Sequence, residues 1–303
     1  MTYGGSDRPT KNERREAARE KARQLRDQQR KRERRNKFLI QGGVIVAVVA
    51  IAALIGTLIW QNIQPEGPGP RNMASDGLLY DVGMTPVETV ALQPDEEPTA
   101  TVPDESGTVA NIVTYVDYLC PFCGQFETTN GDQIRTMVES GAATIEIHPV
   151  AILTNRSAGS QYSLRAANAA GCVADASPEQ FYDYNALLFA NQPEEGTTGL
   201  SNDELKALAA DAGVTSLSSI EQCIDDTEFK SWVQDATNRF LSEPIPNSDI
   251  ETQQRGTPTV VVNGKQYTGS LTDPAEFASF VLQATADTYT EATATPTPEP
   301  DDE

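Results

Sequence analysis

Two of the chain's four cysteines stand in one short motif, Cys120-Pro121-Phe122-Cys123, and that spacing points to redox chemistry. Cysteines three apart on a helix lie on nearly the same side, so their sulfurs can join and part with little backbone movement. At a helix N-terminus, Cys120 would meet unpaired main-chain N–H groups and the positive end of the helix dipole, both of which favour its thiolate. Pro121 suits the first helical position, where an N–H would have had no partner. Cys123, one turn on, would lie deeper and resolve what Cys120 begins. A low thiolate pKa on Cys120 stabilises the dithiol and makes the disulfide a stronger oxidant. The alternative reading of the same motif is half of a zinc knuckle, with Cys172 and Cys223 as the other ligands. Cys172 follows Cys123 by 49 residues and Cys223 follows by another 51, without the second short-spaced pair that such sites usually show. One histidine in the chain argues against a His-rich metal site or a Ser-His-Asp triad.

The elements around the motif are those it needs. Ala110 to Tyr118 (ANIVTYVDY) reads as a strand, and the CxxC follows at once. Gly124 to Val138 reads as a helix, with Phe122, Phe126, Ile134, Met137 and Val138 as expected buried positions. Ala143 to Pro149 is a second strand, and about ninety residues of helical pattern follow. Helices are expected at Ser157–Ala174, Pro178–Ala190, after Ser201 with its capping-box Glu204, at Leu217–Ile224 and at Glu228–Leu241. The pattern returns to strand at Thr259–Val262, turns at Asn263-Gly264 and continues at Gln266–Thr268, a hairpin signature. Asp273-Pro274 opens a last helix through Leu282. Strand, CxxC helix, strand, helical block, hairpin, helix is an α/β order.

Charge divides the rest of the chain. Residues 1–37 hold fourteen Lys/Arg against six Asp/Glu, whereas the other 266 hold nine against 38. The acidic part excludes general nucleic-acid binding, which needs cations to neutralise phosphates. Phe38 to Trp60 is a run of 23 uncharged, mainly aliphatic residues. As a helix it would be about 34 Å long, enough for a hydrocarbon core of roughly 30 Å. The basic flank places the N-terminus in the cytoplasm and everything after Trp60 outside. The expected plan is therefore a basic cytoplasmic arm (1–37), a transmembrane helix (38–60) and a Pro/Gly linker (61–74). One domain (75–286) follows, with a helical insertion at about 155–245, and a disordered acidic Thr/Pro tail (287–303) ends the chain. The arm is either a lone charged helix, an unpacked segment drawn to anionic lipid, or a weak RNA binder.

The order of motifs adds a family resemblance. Y-V-D-Y-L-C-P-F-C at 115–123, the helical insertion, and Gly256-Thr257-Pro258-Thr259 leading into V-V-V-N-G-K resemble the DsbA-like branch of the thioredoxin superfamily. The likeness extends over about 210 residues, and is greatest to the membrane-anchored forms of Gram-positive and actinobacterial cells. It implies a thioredoxin fold with an inserted helical domain, preceded here by the transmembrane helix. It also implies a cis peptide before Pro258, packed against the CxxC, and substrate peptide pairing with the main chain of Thr257. The implied activity is an extracytoplasmic thiol–disulfide oxidoreductase with Cys120 and Cys123 as catalytic pair and no cofactor. Its implied partners are reduced, unfolded secreted proteins and a membrane reoxidant of DsbB- or VKOR-like type.

Some positions depart from that pattern. The middle dipeptide is Pro-Phe, not the Pro-His of the best-known oxidant, and is closer to the Pro-Tyr of isomerase-type relatives. Thr114 stands where some members keep a buried acid that moves a proton for the resolving cysteine. Asp117 either takes that role or is a surface acid at the strand's end. His148 reads as a structural residue at a strand end. Cys172 and Cys223 fall on helices of the insertion, and a structural disulfide is the simplest reading in an oxidising compartment. A second redox pair and two buried free thiols are the alternatives. Two other functions stay open: a reductase or isomerase running electrons the other way, and a peptide-binding chaperone module using the groove beside Pro258.

Overall fold

Strand β3 (Ala110–Val116) forms the centre of the fold, with Ala110, Ile112, Thr114 and Val116 buried along one face. The computed structural model describes residues 67–248, 250–251 and 255–294, with scattered helical residues between 16 and 52. Before β3 come β1 (Leu78–Asp81) and β2 (Thr85–Pro86). After it come α1 (Pro121–Glu139) and β4 (Ala143–Pro149). The insertion holds α2 (Tyr162–Ala176), α3 (Phe181–Ala190), α4 (Asn202–Asp211), α5 (Leu217–Asp226) and α6 (Lys230–Ser242). The chain then returns through β5 (Thr259–Val262) and β6 (Lys265–Gln266) to α7 (Pro274–Thr293). The six strands lie in the order β2-β1-β4-β3-β5-β6. β4 runs parallel to β3, as a crossover through α1 requires, and β5 is antiparallel on the other side.

In α1 the buried residues are Cys123, Gly124, Phe126, Asn130, Ile134 and Val138, a stripe at three- and four-residue spacing. Cys123 is thus on the core face. Phe122, expected to be buried, falls off the stripe and is 58 % exposed. At the other end of the sheet, Asn263 and Gly264 both have positive φ, as a tight hairpin turn of this type demands.

The insertion is built around α2, which is buried on nearly every side from Tyr162 to Ala174. Its small side chains allow this. A Cβ on Gly171 would lie 3.2 Å from the Trp232 ring of α6. Cys172 of α2 and Cys223 of α5 are joined by a disulfide. α4 starts with the expected capping box between Ser201 and Glu204.

Three boundaries differ from the sequence expectation. The linker's last residues are already part of the fold: Met73 is fully buried and Arg71 makes a two-pronged ion pair with Asp175 at the end of α2. Its Pro/Gly composition hides those anchoring side chains. The last helix continues beyond Leu282 to Thr293, so residues 287–293 are helical and not part of a disordered tail. In it Thr285, Thr288, Thr290 and Thr293 each return their hydroxyl to the carbonyl four residues back, which satisfies the hydroxyls without leaving the helix. The first insertion helix starts at Tyr162, after a short 3-10 turn at Thr154–Arg156. Among the described residues no helix is long and apolar enough to cross a membrane. The expected span Phe38–Trp60 lies mostly outside them, as do the arm's first fifteen residues and the tail from 295.

Candidate active site

Cys120 is the N-cap of α1 and Pro121 its first residue, the arrangement expected from the motif. The turn before it is closed by the Cys120 N–H donating to the Asp117 carbonyl (2.9 Å). Cys120 is 5 % exposed and Cys123 is fully buried; neither is in a disulfide. The Cys120 thiol is pulled down to about 6, chiefly by the hydrogen bond from the Cys123 thiol and against the penalty of burial. The Thr257 side chain and the N–H groups of Cys123 and Phe122 also favour its thiolate. Burial pushes the Cys123 thiol well above its ordinary value, and the neighbouring Cys120 sulfur adds to that. The two thiols therefore differ in chemistry: at neutral pH the Cys120 sulfur favours the thiolate, the reactive form, and the Cys123 sulfur stays protonated.

The loop before β5 closes over this pair. Thr257-Pro258 is a cis peptide, and the Thr257 carbonyl accepts from the Cys120 Sγ at 3.0 Å. Thr257 Oγ1 is buried and has no hydrogen-bond partner among the described residues, so its proton is free to turn to the sulfur. Phe122 presents its ring to solvent beside Cys120.

Asp117 is fully buried, so the reading of a surface acid at the strand's end fails. Its Oδ1 accepts from the Leu119 N–H (2.9 Å) and its Oδ2 from the Leu153 N–H (2.8 Å). Its own N–H donates to Cys123 Sγ at 3.5 Å. Burial raises its carboxyl to about 6, against the pull of those two N–H groups. Thr114, also buried, lies on β3 with its hydroxyl unpaired.

Three residues here escaped sequence reasoning. Glu127 follows Cys123 by four positions and so continues its face of α1; burial lifts its carboxyl to about 7. That spacing was a readable signal. Asn185 links it to the site, donating to Glu127 (3.3 Å) while accepting from the Tyr118 hydroxyl (3.0 Å). Gln192 donates to the carbonyls of Cys120 (2.8 Å) and Tyr118 (3.1 Å). Asn185 and Gln192 come from the insertion, some seventy residues away in sequence, and no local pattern marks them.

The remaining candidates lie elsewhere. Cys172 and Cys223 are bonded to each other, which leaves neither thiolate for a four-cysteine zinc site with the CxxC. That bond also excludes two free thiols. His148 is buried on β4, stacked on Tyr115 at 4.4 Å and 3.5 Å from the Glu146 carboxylate. Tyr115 belongs with Val150, Phe240 and Ile245 to a small apolar cluster separate from the core that holds both cysteines. A cavity of about 430 Å³ on that side of the sheet is lined by His148 and Glu146 and includes neither Cys120 nor Cys123.

Known proteins bear on this geometry. Residues 105–281, more than half of the chain, match a family profile described as thioredoxin. The chain is 28 % identical to DsbA from Mycobacterium tuberculosis in its reduced form, over 72 % of this chain and all of that one, with a TM-score of 0.50. It is 33 % identical to the disulfide bond oxidoreductase DsbG of the same organism, over 61 % of this chain and 86 % of that one, with a TM-score of 0.48. BdbD from Bacillus subtilis shares the fold at 17 % identity and a TM-score of 0.51, over 74 % of this chain and all of that one. No curated protein matches the chain.

Proposed function

The chain belongs to the thioredoxin family and is a protein thiol–disulfide oxidoreductase of the DsbA type; from that premise we propose that it donates disulfides to secreted or cell-envelope proteins through Cys120 and Cys123. The observation that carries the direction is the asymmetry of the two sulfurs. A thiol near 6 beside one pushed well above 9.0 stabilises the dithiol as a thiolate at neutral pH, and a stable dithiol makes an oxidising disulfide.

The reaction begins from the Cys120–Cys123 disulfide. A substrate thiolate attacks the Cys120 sulfur, the bond to Cys123 breaks, and Cys123 leaves as a thiolate that takes up a proton. Asp117, with a carboxyl near 6 and its N–H on the Cys123 sulfur, is the acid–base group for that proton. A second substrate thiolate then attacks the substrate sulfur of the mixed disulfide and expels Cys120, whose low pKa makes it a good leaving group. Substrate ends with a disulfide, and the protein holds two more electrons as a dithiol. Main-chain groups of Thr257, next to Pro258, are where an extended substrate would pair, and the exposed Phe122 ring offers it apolar contact.

The chain itself is the whole redox centre and needs no cofactor. Reoxidation is assigned to a membrane partner of the quinone-linked DsbB or VKOR type. Phe38–Trp60 is the single-pass anchor that keeps the domain near it, on the extracytoplasmic side. The Cys172–Cys223 disulfide suits that oxidising side.

Equilibration of the Cys120–Cys123 couple with glutathione tests the direction. A potential near about −120 mV supports a disulfide donor, and one near about −270 mV makes the protein a reductant. Replacing both Cys120 and Cys123 with serine separates either from a chaperone, which would keep its activity.

A further inference from the structure

Gly124 is out of place in α1. Glycine inside a helix is less favourable than alanine, and this one is buried one residue after Cys123. The reason lies across the first turn. A Cβ on Gly124 would come within 2.3 Å of the Gln192 Oε1. Gln192 belongs to the loop after α3, and its amide occupies the space that glycine leaves at the start of α1. There its Nε2 donates to the Cys120 carbonyl at 2.8 Å and to the Tyr118 carbonyl at 3.1 Å. The Cys120 carbonyl also accepts the N–H of Gly124 itself, at 3.2 Å.

We infer that Gln192 is a positioning residue for Cys120, pinning the Tyr118–Cys120 turn from the helical insertion, and that Gly124 is glycine in order to admit it. The inference rests on Cys120 being the attacked sulfur. The thiolate of an N-cap cysteine depends on N–H groups of the first turn keeping their aim. Here those are the N–H groups of Phe122 and Cys123. Two carbonyls held by one amide fix the main chain on the other side of that sulfur. Without the amide the turn is free to rotate, the N–H groups lose their aim, and the thiolate loses part of its stabilisation. The contact also ties the insertion to the redox centre, so displacement of the loop after α3 by a bound polypeptide would reach the sulfur directly.

Gly124→Ala makes the sharpest test, because the atoms nearest its methyl are the flexible end of Gln192: the fold should survive and the amide should be displaced. Gln192→Ala removes the amide, and Gln192→Glu keeps its shape while removing both donors. The readout is the pH profile of Cys120 alkylation by iodoacetamide in the full reduced chain, the Cys172–Cys223 disulfide being kept. The unsubstituted protein should inflect near 6. Each variant should inflect about one unit higher, which at pH 6 slows alkylation roughly fivefold. Gly124→Ala should add nothing once Gln192 is alanine. The clamp is overturned if the variants keep the unsubstituted profile, or if the two substitutions add in full. An inflection of the unsubstituted protein near that of an ordinary thiol would instead overturn the reading of Cys120. The clamp then still stands or falls by thermal unfolding. Gly124→Ala should raise the midpoint in the Gln192→Ala background, where only helix propensity is left, by more than it does in the unsubstituted chain. Equal shifts in both backgrounds reject the clamp.

Discussion

The Cys120 sulfur lies 3.0 Å from the main-chain carbonyl of Thr257, a residue whose buried hydroxyl has no hydrogen-bond partner among the described residues. Residues 137 positions apart thus share one thiol, and the hydroxyl is the part that can be removed alone. Thr257→Val keeps the shape and the following cis proline but takes away the hydroxyl that is free to donate to sulfur. The Cys120 pKa should rise by about one to two units if the hydroxyl donates to the thiolate, the scale of one hydrogen bond to a charged group. Thiolate absorbance near 240 nm measured against pH reads this directly. No shift would mean that the hydroxyl proton points elsewhere.

The same thiol makes the stability of the reduced protein depend on pH, and the sign is fixed. Its folded pKa of about 6 is below the ordinary thiol value of 9.0. The resulting stabilisation is full above 9.0, shrinks as pH falls and is gone once pH passes below about 6. Cys123 does not offset this in that window, because its raised thiol stays protonated in the fold and titrates above 9.0. The unfolding midpoint of the reduced form, minus that of the oxidised form, should therefore climb between about pH 5.5 and pH 8.5. In Cys120→Ser the reduced protein should lose that climb. A difference that stays flat across the range would show that Cys120 is an ordinary thiol.

Much of the site could be read in advance wherever it was local in sequence. Cys120 and Pro121 obey the rules of a helix start, and Cys123 repeats at the spacing of Phe126, Asn130 and Ile134. Asn263-Gly264 states its own turn. Phe122 was misplaced because an aromatic flanked by apolar residues reads as core, while the helix phase turns it outward. One hydrogen-bond partner of the buried Asp117 carboxylate, the Leu153 N–H, reaches it only after the chain has turned through β4. Asn185 and Gln192 are polar residues in a helical insertion with no periodicity to set them apart. What brings them to the cysteines is tertiary packing of α3 against α1.

Asp117 supplies a kinetic prediction. In the return half-reaction Cys123 must lose its proton before it can attack the mixed disulfide on Cys120. Burial raises the Asp117 carboxyl to about 6, so it becomes a base only above that pH. The rate at which glutathione disulfide oxidises the dithiol should then show a limb rising through pH 6 that reflects Asp117 together with Cys120. Asp117→Asn should lower the rate at neutral pH by about 10²-fold, the usual scale of general base catalysis, and leave only the Cys120 titration. The alkylation profile of Cys120 is the control, since a merely structural effect would move both. A variant with an unchanged oxidation rate would remove Asp117 from the proton path.

The disulfide in the insertion should hold the fold without taking part in electron transfer. Cys172 and Cys223 are both buried and join α2 to α5 across a sequence separation of 51 residues. Closing a loop of that size restricts the unfolded chain by up to about 4 kcal/mol in the chain-entropy picture, and measured losses are commonly about 2–5 kcal/mol. The double substitution Cys172→Ala/Cys223→Ala should therefore lower the denaturation midpoint clearly. Its Cys120–Cys123 couple should still equilibrate with glutathione at the potential of the unsubstituted protein, because neither sulfur appears among the groups that set the Cys120 thiol. A second redox pair feeding the first would behave differently. Reoxidation of Cys120–Cys123 would slow in the double variant, and a mixed disulfide between the two pairs could be trapped by Cys123→Ser. Trapping that species would turn the brace into a relay.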